Sequence, residues 1–396
     1  MIRLELGPLA ADPDLARVWP VLPGARLVGG VVRDLISGGA IADLDLATPE
    51  PPETVMRRLA DASIRSVATG LSHGTITALA GTRPIEITSL RRDEQTDGRH
   101  AVVAWTDDWR EDAQRRDFTF NAMSLAPDGA LFDYFGGLED LRAGRVRFVG
   151  DAGARIAEDA LRTLRFFRFD ARYRSSAPDA AAIAAIAASL SALARLSGER
   201  VWSELRRILL GPRLAETLAL MRELGVLDRL LPGGGDPQRP ERVPADTILR
   251  LAALIEGPAA PVAAALRLSN SDAARLASLR AGPTPHPGLD DADLRRLLAD
   301  ASADLLAGRA WLAQTAAAEA DPGPWNFLRR RLVAAAPVVF PLAGRDLLAR
   351  GLTPGVGIGQ LLDEVRGWWL EGGCVADRDA CLQRLDRLIG RPVLST

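Results

Sequence analysis

Strand-like periodicity is confined to the first third of this chain, and that asymmetry limits the folds open to it. Arg26–Val28, Asp43–Ala47, Ile64–Thr69, Thr75–Ala80 and Pro84–Leu90 show the alternation or β-branching of short strands. The last two flank Gly81-Thr82 and predict a hairpin. Val31–Ile36 and Glu53–Ala62 carry helical spacing between them. From about Ala154 onward strand signals nearly vanish, and Ala-, Leu- and Arg-rich helical patterns take over, including a plain helix over Pro178–Ala194. The Pro/Gly stretches Leu231–Pro244 and Gly282–Gly288 read as linkers or long loops, and polar Arg91–Gly98 as a mobile loop. The expectation is an α+β chain with a mixed-sheet head followed by all-α domains.

A length of 396 residues leaves room for two to four domains, at roughly 100–200 residues each. The formal net charge is −2, so a nucleic-acid partner has to be argued from local clusters of charge. All 49 basic residues are arginine, a planar fork suited to phosphate and base edges. Cys374 and Cys381 make neither a metal-ligand pattern nor a disulfide framework, which fits a reducing cytoplasm. The N-terminal MIRLELGPLAADPD is not a signal peptide, and no apolar run approaches the ~20 residues of a membrane span. A soluble, cytoplasmic protein without a membrane partner is expected.

Five blocks carry chemistry. Gly29-Gly30 lies between a strand and a helix, where it lets backbone approach a ligand; the helix N-terminus then offers N–H groups to an anion, and Arg33 follows one turn in. An ordinary turn uses the same two glycines. On the strand Asp43-Leu44-Asp45-Leu46, alternation puts both aspartates on one face and both leucines on the other. That face reads either as a solvated acidic surface or as a seat for a hard divalent cation, which takes one or two carboxylates plus phosphate oxygens. Glu86, between Ile85 and Ile87, faces away from both and is available as a third carboxylate or as a surface glutamate. Arg115-Arg116-Asp117, followed by Asn121, suits triphosphate and ribose contacts or a salt-bridged turn. Asp133–Gly137 reads as a strand ending in a tight turn. Glu158–Phe169 reads as one helix, with Asp159, Arg162, Arg165 and Arg168 along one face and Leu161, Leu164 and Phe167 on another.

A Gly-Gly cradle followed by a D-x-D strand is the signature of a polymerase-β-like nucleotidyltransferase head. The five blocks together resemble the class II tRNA nucleotidyltransferases, the CCA-adding enzymes, and the related bacterial poly(A) polymerases. That family's G-G-x-V-R-D, D-x-D, R-R-D-F-T-x-N-A, D-x-F-G-G and E-D-x-x-R-x-x-R-x-x-R-F all stand in order between Gly29 and Phe169. Weaker likeness continues at Ser197–Leu205 and Gly351–Gly359.

The resemblance implies a head over residues 1–145, a helical neck over 146–212, a body over 213–300 and a tRNA-binding tail over 301–396. It implies that Asp43 and Asp45 hold Mg²⁺, with Glu86 beside them. Gly29, Gly30 and Arg33 would bind triphosphate with Arg116, Arg165 and Arg168, and Asp159 with Arg162 would select the nucleotide. Cytosine and adenine both present an amino donor beside a ring-nitrogen acceptor, which a carboxylate and a guanidinium can read, whereas uracil and guanine reverse the pattern. The implied activity is addition of C, C and A to the tRNA 3′ end from CTP and ATP. A poly(A) polymerase, a partial CC- or A-adding enzyme and an inactive RNA-binding homologue are the alternatives, and the full-length segment Arg91–Arg110 favours complete addition. His73 and His100 are expected to be structural. The six arginines from Arg155 to Arg174, and Arg329-Arg330-Arg331, are candidates for an RNA path or for solvated helix faces.

Overall fold

A computed structural model describes residues 2–41, 43–70, 74–96, 101–317 and 321–390, with backbone only at 93–96 and 101–103. His73 and His100 lie outside the described residues. The chain forms two compact units: Met1–Pro232 with Ala265–Arg267, and Gly233–Ala264 with Leu268–Thr396. The boundary between them falls inside the stretch 213–300 expected as a body.

The first unit is built on an eight-stranded mixed sheet. Its strands are β1 (Ile2–Arg3), β2 (Arg26–Val28), β3 (Leu44–Thr48), β4 (Arg65–Gly70), β5 (Thr75–Leu79), β6 (Pro84–Ser89), β9 (Ser124–Leu125) and β10 (Ala130–Phe132). β7 (Arg91–Thr96) and β8 (Ala101–Trp105) form a separate two-stranded ribbon. The order in the sheet is β1-β10-β9-β2-β3-β6-β5-β4, and β3–β6 is its parallel pair. The predicted hairpin is β5 and β6. Arg91–Gly98 departs from the expected loop, since residues 91–96 are the first arm of the ribbon. Alternation in RRDEQT is masked by its run of charges, so periodicity alone does not reveal the strand.

The helices of this unit used below are α1 (Pro13–Val18), α2 (Gly30–Ser37), α3 (Pro52–Asp61), α4 (Trp109–Gln114), α5 (Gly137–Arg142), α6 (Ala152–Glu158), α7 (Leu161–Tyr173), α8 (Ala180–Ala188) and α9 (Gly198–Leu209). The helix expected over Pro178–Ala194 is α8 followed by a 3-10 turn over Leu190–Arg195, with Ser189 between them. The strand expected at Asp133–Gly137 ends at Phe132. Asp133 instead accepts the N–H groups of Phe135, Gly137 and Leu138 and caps α5, while Gly136 turns the chain at φ +76°.

The segment 158–169 also departs from expectation, because Asp159 is extended (φ −150°, ψ 104°) and breaks the helix in two. Its carboxylate accepts the Leu161 N–H, an orphan donor at the start of α7. Aspartate favours such caps over helix interiors because its short side chain reaches nearby backbone N–H groups.

Phenylalanine fastens α7 to the rest of the unit. Phe118 packs on Phe148 with ring centroids 4.8 Å apart and on Phe169 at 5.3 Å, and Phe148 faces Phe166 at 6.1 Å. All four rings are buried. Each such pair adds ~0.5–1.5 kcal/mol beyond its area burial, so the arginine-bearing helix is held rigidly.

The second unit is helical. One apolar cluster joins Leu294, Leu306, Leu328 and Leu332; another joins Leu347, Val365, Trp369, Cys381 and Leu385. No helix among the described residues is long and apolar enough to cross a membrane.

Candidate nucleotidyl-transfer site

The carboxylates rise from the centre of the sheet. Leu44 and Leu46 are buried beneath β3, so the strand's alternation sends Asp45 the other way, and Asp43 stands exposed just before the strand begins. Parallel pairing puts Glu86 of β6 in register with Asp45. Burial, then the neighbouring charges of Glu86 and Asp43, push the Asp45 carboxyl up to about 6, against the pull of Arg116. Negative charge is concentrated here beyond what the arginine offsets, which is the electrostatic condition for seating a cation. No ready-made group of three or more His, Cys, Asp or Glu ligands exists among the described residues. Asp43 and Asp45 face one opening, and a pair of carboxylates is compatible with a hard divalent cation that also takes phosphate oxygens.

Beside them the chain turns from β2 into α2 through Gly29, whose φ of +68° disfavours any residue with a Cβ. A Cβ there would also come within 3.2 Å of Arg116 Nη1. Gly29, Gly30, Arg33, Asp43, Asp45, Arg116, Asp159, Arg162, Arg165 and Arg168 all line one cavity of about 570 Å³. Of the predicted site residues, only Glu86 lies outside that lining, one strand over. A cavity of similar size in the second unit, about 660 Å³, is walled largely by apolar side chains such as Leu294, Val338 and Trp369 and contains none of the motif residues.

The cavity's arginines are anchored from behind by carboxylates. Arg33 pairs with Asp34 (2.9 Å) and donates to Asn121 Oδ1 (2.8 Å). Arg116 pairs with Asp112 (3.2 Å), which also holds Arg115 (2.7 Å). Arg165 donates to Asp117 (2.6 Å), and Arg168 to Glu204 (2.7 Å). Burial alone would raise the Asp117 carboxyl, but the Arg165 charge and the bonds from Asn121, Arg165 and the Phe118 N–H outweigh it and hold the group below its ordinary value. Asp117 and Asn121, expected to contact nucleotide, thus serve to hold Arg165 and Arg33. Sequence reasoning passed over Asp112, Arg200 and Glu204 as site residues. The only hint of the last two was the Ser197–Leu205 likeness.

Arg162 and Asp159, expected to select the nucleotide, are likewise held. Arg162 donates to Glu158 (2.7 Å), to the Arg155 carbonyl (3.1 Å) and to the Arg115 carbonyl (2.9 Å). Its Nε–H and one Nη2–H have no hydrogen-bond partner among the described residues. Asp159 accepts from Arg200 (2.8 Å) and keeps lone pairs for a further donor.

The candidate RNA path is altered. The arginines from Arg155 to Arg174 are committed to carboxylates, although Arg172 remains half exposed. In the second unit Arg329 is buried over the Trp311 ring and bonded to Gln314 and Asn326. Arg331 pairs with Asp291, so Arg329-Arg330-Arg331 does not present three cations as a row.

Residues 25–147 match the family described as the Poly A polymerase head domain, and residues 178–234 the family described as a probable RNA and SrmB-binding site of polymerase A. The chain is 45% identical over 222 residues to the mitochondrial CCA tRNA nucleotidyltransferase 1 of Danio rerio, covering 55% of this chain and 52% of that relative. It thus spans about half the length of this and of the similar mouse and human relatives. A CCA-adding enzyme of Geobacillus stearothermophilus is 32% identical over 334 residues, 79% of each chain. The crystal structure of the Bacillus stearothermophilus CCA-adding enzyme in complex with CTP superposes with a TM-score of 0.76 at 26% identity, covering 96% of this chain and 99% of that one.

Proposed function

The chain belongs to the family of CCA-adding tRNA nucleotidyltransferases, and we propose that it adds C, C and A to the 3′ end of tRNA from CTP and ATP without a nucleic-acid template. The observation that carries this reading is a single cavity in which the Asp43 and Asp45 carboxylates, a bank of anchored arginines and the Asp159–Arg162 pair meet. The relative solved with CTP supports the nucleotide, and the match of residues 178–234 to an RNA-binding family supports the acceptor.

Asp43 and Asp45, with Glu86 adjacent, would hold divalent metal, for which we propose Mg²⁺; when bound, it supplies Lewis-acid stabilisation of phosphoryl charge. Arg33 and Arg116, at the glycine turn, bind and orient the triphosphate. As the 3′-hydroxyl oxygen bonds to the α-phosphorus and pyrophosphate departs, these guanidiniums and those of Arg165 and Arg168 stabilise the leaving charge. They cost little reorganisation because Asp34, Asp112, Asp117 and Glu204 hold them beforehand. Asp159 accepts from the base amino group, and Arg162 donates to the ring nitrogen. Uracil and guanine would leave both groups mispaired, a penalty that rejects wrong substrates strongly. Two free cysteine thiols support a reducing, cytoplasmic setting.

The test is incubation with Mg²⁺, tRNA lacking its 3′ CCA and each nucleoside triphosphate, resolved at single-nucleotide length. Addition of C, C, A and then a stop is expected. Long A-tails would make the protein a poly(A) polymerase, CC or A alone a partial enzyme, and tRNA binding without extension an inactive homologue.

A further inference from the structure

Arg33 and Asp34 are consecutive on α2, and consecutive helical side chains project about 100° apart. They nevertheless form a two-pronged pair, Nε to Oδ1 at 3.0 Å and Nη2 to Oδ2 at 2.9 Å. Neighbours in sequence do not face each other on a helix, so this geometry needs an outside hold. One comes from 139 residues away: the Tyr173 hydroxyl donates to Asp34 Oδ1 at 2.9 Å. Arg172 approaches the same oxygen only at 4.0 Å. The Tyr173 ring lies 5.4 Å from the Arg33 guanidinium, beside the Phe169 ring at 5.1 Å, and packs on Phe120 at 5.6 Å. Burial pushes the Tyr173 hydroxyl up from its ordinary value, which keeps it a donor.

We infer that Tyr173 is a positioning residue for the triphosphate. It fixes Asp34, so that Asp34 and Asn121 together lock the Arg33 fork and leave two of its five N–H donors for phosphate. Tyr173 ends α7, the helix that also carries Arg162, Arg165 and Arg168. The hydroxyl therefore ties the phosphate-binding turn of α2 to the helix that bears the base-reading arginine. This inference rests on the nucleotidyl-transfer reading of the cavity.

Tyr173→Phe removes the hydroxyl and keeps the ring. Titration of CTP, inorganic pyrophosphate and cytidine, each with Mg²⁺, reads the effect without turnover. CTP and pyrophosphate affinities are expected to fall together by about five- to tenfold, the net worth of one ordinary hydrogen bond. Cytidine affinity should stay unchanged, and Tm should fall by no more than the loss of one partly buried hydrogen bond explains. In tRNA extension the loss should fall on kcat/KM for CTP and ATP alike. Asp34→Asn should reproduce the loss, and the double variant should lose little more than Asp34→Asn alone. Unchanged pyrophosphate binding would overturn the inference, as would equal losses for pyrophosphate and cytidine with a lowered Tm, which is a packing defect. A wild-type protein that binds CTP but does not extend tRNA would refute the proposed activity, and the titrations would still decide the role of Tyr173.

Discussion

The two walls of the cavity are ordered in opposite ways. On the sheet side, Asp43 and Asp45 line the cavity with Glu86 one strand behind, and burial with this crowding of like charge displaces the Asp45 carboxyl upward. On the helical side, Arg33, Arg116, Arg162, Arg165 and Arg168 each have a carboxylate behind them. One wall holds unbalanced charge that a cation can relieve. The other holds balanced charge, fixed in place, that a polyanion can share. On the proposed reading, function resides in the imbalance on the first wall, whereas on the second both stability and function depend on the balance.

The comparison is broken most severely on the acidic wall. Asp43→Ala or Asp45→Ala should lower nucleotide incorporation on the order of 10³-fold or more, since several kcal/mol of charge stabilisation are removed. Neither substitution should lower stability, because no ion pair among the described residues is lost and like-charge crowding is relieved; a large fall in stability with activity kept would contradict the contrast between the two walls.

Asp117→Ala should do the reverse in kind. It leaves Arg165 partly buried without its main partner, and about 2–4 kcal/mol of stability is expected to go, measured by urea unfolding. Activity should fall as well, through the misplaced Arg165. The same group predicts a pH dependence. Its folded carboxyl lies below the ordinary value, so its contribution is full above an unfolded pKa of about 3.9 and is lost as pH falls below that. Asp117→Asn should flatten that acid limb of the unfolding profile.

Asp159→Ala sharpens the comparison at the selecting pair. Incorporation of U and G relative to C and A should rise by about 10–100-fold, within the range of one lost hydrogen-bond discrimination, with the fold intact. Single-nucleotide extension assays with each triphosphate would reveal it. The smallest effects are expected in the second unit. Arg329→Ala, which uncovers Trp311, should cost about 1–2 kcal/mol, while Arg330→Ala should leave stability within about 0.5 kcal/mol. Similar losses for both would mean that Arg329 is not the structural member of the cluster.

Much of the first unit was legible from pattern. Strand and helix periods located β2, α2, β3, α3, β5 and β6 within a residue or two, and alternation alone set Asp45 opposite Leu44 and Leu46. The charged ribbon strand at Arg91–Thr96 and the break at Asp159 were not legible. In the first, consecutive charges hide the period of two; in the second, the spacing of arginines every three residues continues through a residue that the backbone uses as a cap. Eight of the ten phenylalanines fall between Phe118 and Phe169, yet sequence alone does not say that six of them join one cluster around α7.

The order of glycines, aspartates and arginines along the chain by itself determined which residue types are suited to phosphate, metal and base, because that chemistry depends on side-chain identity and local spacing. Only tertiary structure decided which arginines are spent on carboxylates. Asp117 reaches Arg165 across 48 residues and Tyr173 reaches Asp34 across 139, and no local period encodes contacts at such separations.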